Sequence, residues 1–136
     1  MAARRGLTLG VLLVAVTGCG TQPPDLFIVQ RTGADANADV RMAVDDGGNV
    51  TCNRMQGKVL EADQLLEARQ LARDLTELSY LNLDLPPEPA SDLRYRVDVP
   101  SGTIAYADNS GQRPPALDRL TAFTAEVIEN VCGIER

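Results

Sequence analysis

Leu93-Arg94-Tyr95-Arg96-Val97-Asp98-Val99, followed by Pro100-Ser101-Gly102 and then Thr103-Ile104-Ala105-Tyr106-Ala107, decides the fold of this 136-residue chain. Leu93, Tyr95, Val97 and Val99 alternate with Arg94, Arg96 and Asp98. A period of two puts one set against a core and leaves the other in solvent. The Pro-Ser-Gly triplet is a turn, so Thr103 to Ala107 should pair back as the next strand. A two-strand ribbon with one apolar side is stable only when that side is covered, and the rest of the chain must supply the cover.

Upstream, residues 61–79 (EADQLLEARQLARDLTELS) set Leu65, Ala68, Ala72 and Leu75 at steps of three, four and three, with Leu71 and Leu78 widening the stripe. This is helical spacing, and Glu61 and Asp63 stand where the positive end of the helix dipole favours acids. Pro86-Pro87-Glu88-Pro89 ends regular structure before the ribbon. Downstream, behind Pro114-Pro115, Leu117, Leu120, Phe123, Val127 and Val131 recur at steps of three, three, four and four. That predicts a second amphipathic helix ending near Cys132, with Gly133 as its stop.

Nearer the start, Leu26-Phe27-Ile28-Val29 reads as a buried strand. Val40, Met42 and Val44 alternate with Arg41, Ala43 and Asp45, then Asp45-Asp46-Gly47-Gly48-Asn49 supplies turn residues before Val50-Thr51-Cys52, which predicts a hairpin. The order is strand, hairpin, helix, hairpin, helix. The expected fold is α+β: an antiparallel sheet of four or five strands with both helices on one face. The other face is left to solvent, and the alternation assigns Arg41, Arg94, Arg96 and Asp98 to it. Arg41, Arg94 and Arg96 form the candidate interaction face, and Tyr95 and Tyr106 are further residues to watch for partner contact, since Arg and Tyr are favoured at hot spots.

Residues 1–18 have the layout of an export signal. Arg4 and Arg5 form a positive start, and Leu7 to Val16 an apolar core of ten residues, too short to span a bilayer. Val16-Thr17-Gly18-Cys19 closes this leader and resembles the lipobox of bacterial lipoproteins. The resemblance implies that the Cys19 thiol is alkylated with a diacylglyceryl group, that the leader is cut before it, and that the new amine can be acylated in turn. A thiol suits this role because sulfur is nucleophilic near neutral pH. Two or more acyl chains hold a protein stably to a bilayer where one does not. The expected organisation is a signal peptide over 1–18, a lipidated tether over 19–25 and a single domain over 26–136, on the outer face of the cell membrane. The tether segment Gly20 to Pro24 reaches roughly 15 Å when extended.

With Cys19 assigned to lipid, Cys52 and Cys132 remain as an even pair in an oxidising compartment and are expected to form a disulfide; a free thiol pair or a metal site is the competing reading. Removing the leader takes away Arg4 and Arg5, leaving 11 basic and 19 acidic residues, a formal charge of -8. Such a surface repels nucleic acid and anionic lipid.

The chain has no His, which removes the commonest general base and metal ligand. Lys58 has no Ser partner in a recognised motif, and Asp45-Asp46 fits a turn better than an acid/base pair. Asp35, Asn37, Asp39 and Asp46 mimic a calcium-loop spacing, but Val40 stands where that loop needs Gly. No cofactor is expected.

The string Val44-Asp45-Asp46-Gly47-Gly48-Asn49-Val50-Thr51-Cys52-Asn53, the helix around Ala68-Arg69 to Asp74-Leu75, and Gly102-Thr103 to Tyr106-Ala107-Asp108 before a helix ending in Cys resemble small exported actinobacterial proteins of unknown function. That resemblance supports the same topology and bridge, and it supplies no activity to carry over. The expected function is that of a non-enzymatic interaction or accessory module with an envelope protein partner. A small-ligand or ion-binding lipoprotein is the alternative.

Overall fold

A computed structural model describes residue 20 and residues 23–136. The leader and Cys19 lie outside the described residues. Strands β1 (Asp25–Gly33), β2 (Val40–Asp45), β3 (Val50–Cys52) and β4 (Met55–Gln56) precede helix α1 (Ala62–Ser79). Strands β5 (Leu93–Val99) and β6 (Gly102–Ala107) precede helix α2 (Pro115–Glu126), which runs into a π-helical turn at Val127–Val131. The architecture is α+β, one antiparallel sheet of six strands in the order β4-β3-β2-β1-β5-β6. Four or five strands were expected; the additional one is the two-residue β4, too short to leave a periodic signal.

Register explains the faces. Val29 pairs with Met42 on one side and Val97 on the other, and Val97 pairs with Ile104, so the apolar set lines up across four strands. All four are fully buried. The helices cover this side with Ala68, Leu71 and Leu75 of α1 and Leu117, Leu120 and Phe123 of α2. Phe27 and Phe123 meet edge to face, with ring centroids 6.1 Å apart. Burying each large side chain contributes about 1.5–3 kcal/mol relative to leaving it exposed.

β1 is longer than its apolar run. Gln30, Arg31 and Thr32 continue it because β2 and β5 pair with it on both sides as far as Arg31 and Gly33. The helices cross the strands antiparallel to one another: Gln64 of α1 bonds Glu126 of α2, and Asp74 pairs with Arg119. Leu60 N–H donates to the Gly48 carbonyl where the chain approaches α1, and Ser79 at its end lies 2.6 Å from the Ser101 hydroxyl. α1 therefore spans the β2–β3 and β5–β6 turns, at the same end of the sheet where β1 begins.

The β6 edge is closed to further strand pairing. Ala105 N–H donates to the Leu83 carbonyl and Leu85 N–H to the Ala105 carbonyl, while Ala107 N–H is taken by the Ser110 hydroxyl. Covering an edge in this way removes a template for aggregation.

Candidate functional site

The thiols separate by place. Cys52 at the end of β3 and Cys132 after the π turn are bridged, with S–S 2.07 Å and Cα atoms 6.2 Å apart across 80 residues of sequence. The bridge joins the last helical turn to the second arm of the first hairpin. Lys58 N–H donates to the Val131 carbonyl beside it. Cys19, the candidate lipidation site, is outside the described residues.

Arg41, Arg94 and Arg96 are exposed on the sheet face away from the helices. Register places them around Gln30, which pairs with Arg41 on one side and Arg96 on the other, while Arg94 pairs with Thr32. Two strand spacings put Arg41 and Arg96 about 9.6 Å apart at the backbone. Arg96 pairs with Asp98 at 3.5 Å, and Asp98 also accepts from the Thr103 hydroxyl. Arg41 and Arg94 have no carboxylate within 4 Å among the described residues. An open cleft of about 290 Å³ lies between Gln30, Thr32, Arg94, Arg96 and the Asp84-Leu85 edge. Reading β1 as ending at Val29 hid Gln30 and Thr32. Gln30, Arg31 and Thr32 are all polar, so no alternation in the sequence marks them; pairing with β2 and β5 places them in the strand.

Tyr95 and Tyr106 are not available to a partner. They are 4% and 3% exposed on the core side, stacked on each other with centroids 4.9 Å apart. The alternation that exposes Arg94 and Arg96 turns Tyr95 the other way. The Tyr106 hydroxyl lies 3.0 Å from Thr121 Oγ1. Burial pushes the phenol of Tyr106 up, and the Thr121 hydrogen bond only partly opposes it. Tyr95 is also raised by burial, with the neighbouring Arg31 pulling the other way.

Arg31 is a further residue that sequence pattern missed. It points to the core side of β1 and is 5% exposed, with Nε donating to the Ala38 carbonyl at 2.9 Å and an Nη to the Asn37 carbonyl at 3.0 Å. Burial lowers its pKa. Its role is to hold the β1–β2 loop, which in turn meets the C-terminus: Asn37 donates to the Glu135 carbonyl and Asp35 pairs with Arg136.

The remaining acidic candidates have structural partners. Asp45 accepts from the N–H groups of Gly47 and Asn49 and from the Asn49 amide, fixing the β2–β3 turn, where Gly48 takes a φ of +84°. Asp46 pairs with Arg69 of α1. The calcium-like spacing is pulled apart by β2: Asp35, Asn37 and Asp39 sit at one end of this strand and Asp46 at the other, about 20 Å away. Lys58 is exposed between β4 and α1.

Among the described residues, the end of the sheet spanned by α1 carries most of the exposed large apolar side chains, Val59, Leu66, Tyr80 and Leu81, each 58–66% exposed. Pro24, just before β1, is tied to this end, because its carbonyl accepts from Asp46 N–H. No helix among the described residues is long and apolar enough to cross a membrane. No protein-family model matches the chain, and neither a curated protein nor a solved structure matches it.

Proposed function

We propose that the chain is an exported lipoprotein, anchored through a diacylglyceryl group on Cys19, whose domain serves as a non-enzymatic interaction module at the outer face of the cell membrane. The observation that carries this reading is the division of the thiols. Two are consumed inside the fold by the Cys52–Cys132 bridge, which belongs to an oxidising compartment, and the third stands alone at Cys19 behind an apolar leader. The interaction face is the sheet surface bearing Arg41, Arg94 and Arg96, which is exposed; Arg94 lies furthest from the start of β1, and Arg41 and Arg96, both paired with Gln30, lie level with one another two residues nearer to it. Counting along β1, Thr32, the partner of Arg94, is seven residues from Asp25, or about 23 Å.

The non-enzymatic part rests on chemistry. The chain lacks His, Asp45 is occupied by three donors, and the phenols of Tyr95 and Tyr106 are buried with raised pKa. A ligand carrier is the second reading, and the cleft beside Arg94 and Arg96 is where a small molecule would sit.

Two experiments test the proposal. Cys19→Ser in the exporting host is expected to move the protein from the membrane fraction to the soluble fraction or to leave its leader uncut; unchanged membrane retention with a cut leader contradicts the anchor. A photo-crosslinking residue at Thr32 is expected to trap a specific envelope protein, lost on Arg94→Glu. Absence of any product in the intact envelope, with a thermal shift on small anions instead, favours the carrier.

A further inference from the structure

We propose that the tether side of α1 rests on the phospholipid surface, with Leu66, Tyr80 and Leu81 in the interfacial layer and Arg73 against lipid phosphates. The inference rests on the Cys19 anchor of the preceding reading and adds a second, non-covalent contact that fixes how the domain stands on the membrane.

Three observations converge on this surface. The first is reach. Pro24 is fixed to the fold through Asp46, and Asp46 is held in turn by Arg69, whose Nε bonds its carboxylate at 2.9 Å and whose Nη bonds its carbonyl at 2.8 Å. The chain thus leaves the domain beside the middle of α1, and a tether of roughly 15 Å keeps that flank near any lipid on Cys19. The second is the distribution of uncovered apolar side chains. Leu66 near the start of α1 and Tyr80 and Leu81 just past its end are each 66% exposed, on both sides of the point where the tether leaves. Tyr is favoured at the headgroup level, where its ring is in the apolar layer and its hydroxyl in water.

The third is segregation of charge around the helix. At about 100° per residue, Leu66, Arg69, Arg73 and Tyr80 fall within an arc of roughly 60°, while Asp63, Glu67, Asp74 and Glu77 fall on the adjoining arc. Asp74, paired with Arg119, marks the acidic arc as the side turned toward α2. Arg69, paired with Asp46, marks the other as the tether side. Arg73 bonds Gln70 and has no carboxylate within 4 Å among the described residues. An otherwise acidic protein therefore turns a cation and three apolar side chains to the membrane, with Asp63, Glu67 and Asp74 well round the helix and Glu77, about 20° beyond Leu66, at the margin of the contact.

The chain contains no Trp, so a single introduced one reports its own surroundings. Tyr80→Trp, Leu66→Trp and Arg54→Trp, the last in the β3–β4 turn at the far end of the sheet, would each be exported as the full chain, purified in detergent and reconstituted into phosphatidylcholine–phosphatidylglycerol vesicles containing brominated lipid. Folding of each is checked by far-UV circular dichroism, and having two reporters on α1 guards against one variant that misfolds. Quenching several-fold stronger for Tyr80→Trp and Leu66→Trp than for Arg54→Trp supports docking. Flotation with the vesicles but equal, weak quenching at all three positions overturns docking while leaving the anchor intact. Failure to float, with no lipid mass on Cys19, overturns the anchor and the docking together.

Discussion

At the scale of single residues, the side chains that pattern could not place are polar ones drawn inward by tertiary contacts. Arg31 occupies a position whose apolar neighbours Val29 and Phe27 face the core, yet nothing in its chemistry announces burial; two loop carbonyls make it tolerable. Arg31→Met keeps much of the volume but leaves those carbonyls without donors. It is expected to cost about 1–3 kcal/mol in urea unfolding, with the largest loss of amide protection in the 34–39 loop. Tyr106 gives a pH-dependent test. Its folded pKa lies above the unfolded value, so the stability it contributes is present below about pH 10 and is lost as pH rises further, because the unfolded phenol ionises first. Tyr106→Phe is therefore expected to flatten the alkaline limb of stability against pH, and an unchanged limb would show that Tyr106 is not responsible. Asp108 has the opposite sign. Burial raises its pKa, but hydrogen bonds from the Ser91 hydroxyl and from the N–H groups of Asp92, Leu93 and Asn109 outweigh that and hold it below the usual range. Its contribution is present above about pH 4 and is lost as pH falls. The destabilisation caused by Asp108→Asn should accordingly shrink between pH 6 and pH 2.

At the scale of elements, periodicity was a good guide wherever one face of an element is buried along its whole length. The alternation in β5 and the leucine stripes of α1 and α2 predicted their faces because packing acts on every turn or every second residue. The misses have local causes. β4 is two residues long, and the end of α2 winds as a π turn, with Cys132 N–H donating to the Val127 carbonyl. Steps of three and four are compatible with either winding, and the contacts of Val131 and Cys132 with Lys58 and Cys52 decide between them. The disulfide is the strongest link in that corner. In the chain-entropy account, closing a loop of 80 residues stabilises the fold by ~4.5 kcal/mol. Cys52→Ser with Cys132→Ser is expected to lose about 2–5 kcal/mol in chemical denaturation, and a loss below 1 kcal/mol would show that the packing of α2 stands without the bridge. The turn closed by Asp45 is a smaller test. Asp45→Ala should cost about 1–3 kcal/mol by stranding the donors of Gly47 and Asn49.

At the scale of the whole molecule, the two ends of the sheet have different characters. One end gathers Pro24 and the start of β1, the β2–β3 and β5–β6 turns and α1 with its exposed Leu66, Tyr80 and Leu81; the other gathers the Arg31-held loop, the β3–β4 turn, the C-terminus and the approach to Arg94. The sheet face and its arginines were legible in the sequence as an alternation. The polarity from end to end was not, because it depends on α1 crossing the strands, a relation between segments more than 20 residues apart. With the leader removed as proposed, the formal charge of -8 disfavours broad contact with an anionic surface, so the proposed lipid contact is limited to the patch around Arg73. In the proposed function, this polarity acts through the anchor at Cys19. Intact-mass analysis of the protein extracted from the membrane fraction of its host is the most direct test. The expected mass is that of residues 19–136, plus a diacylglyceryl group with or without an N-acyl chain, less two hydrogens for the Cys52–Cys132 bridge. A mass equal to an unmodified chain starting at Cys19, or to the full 136 residues with the leader in place, would contradict the account.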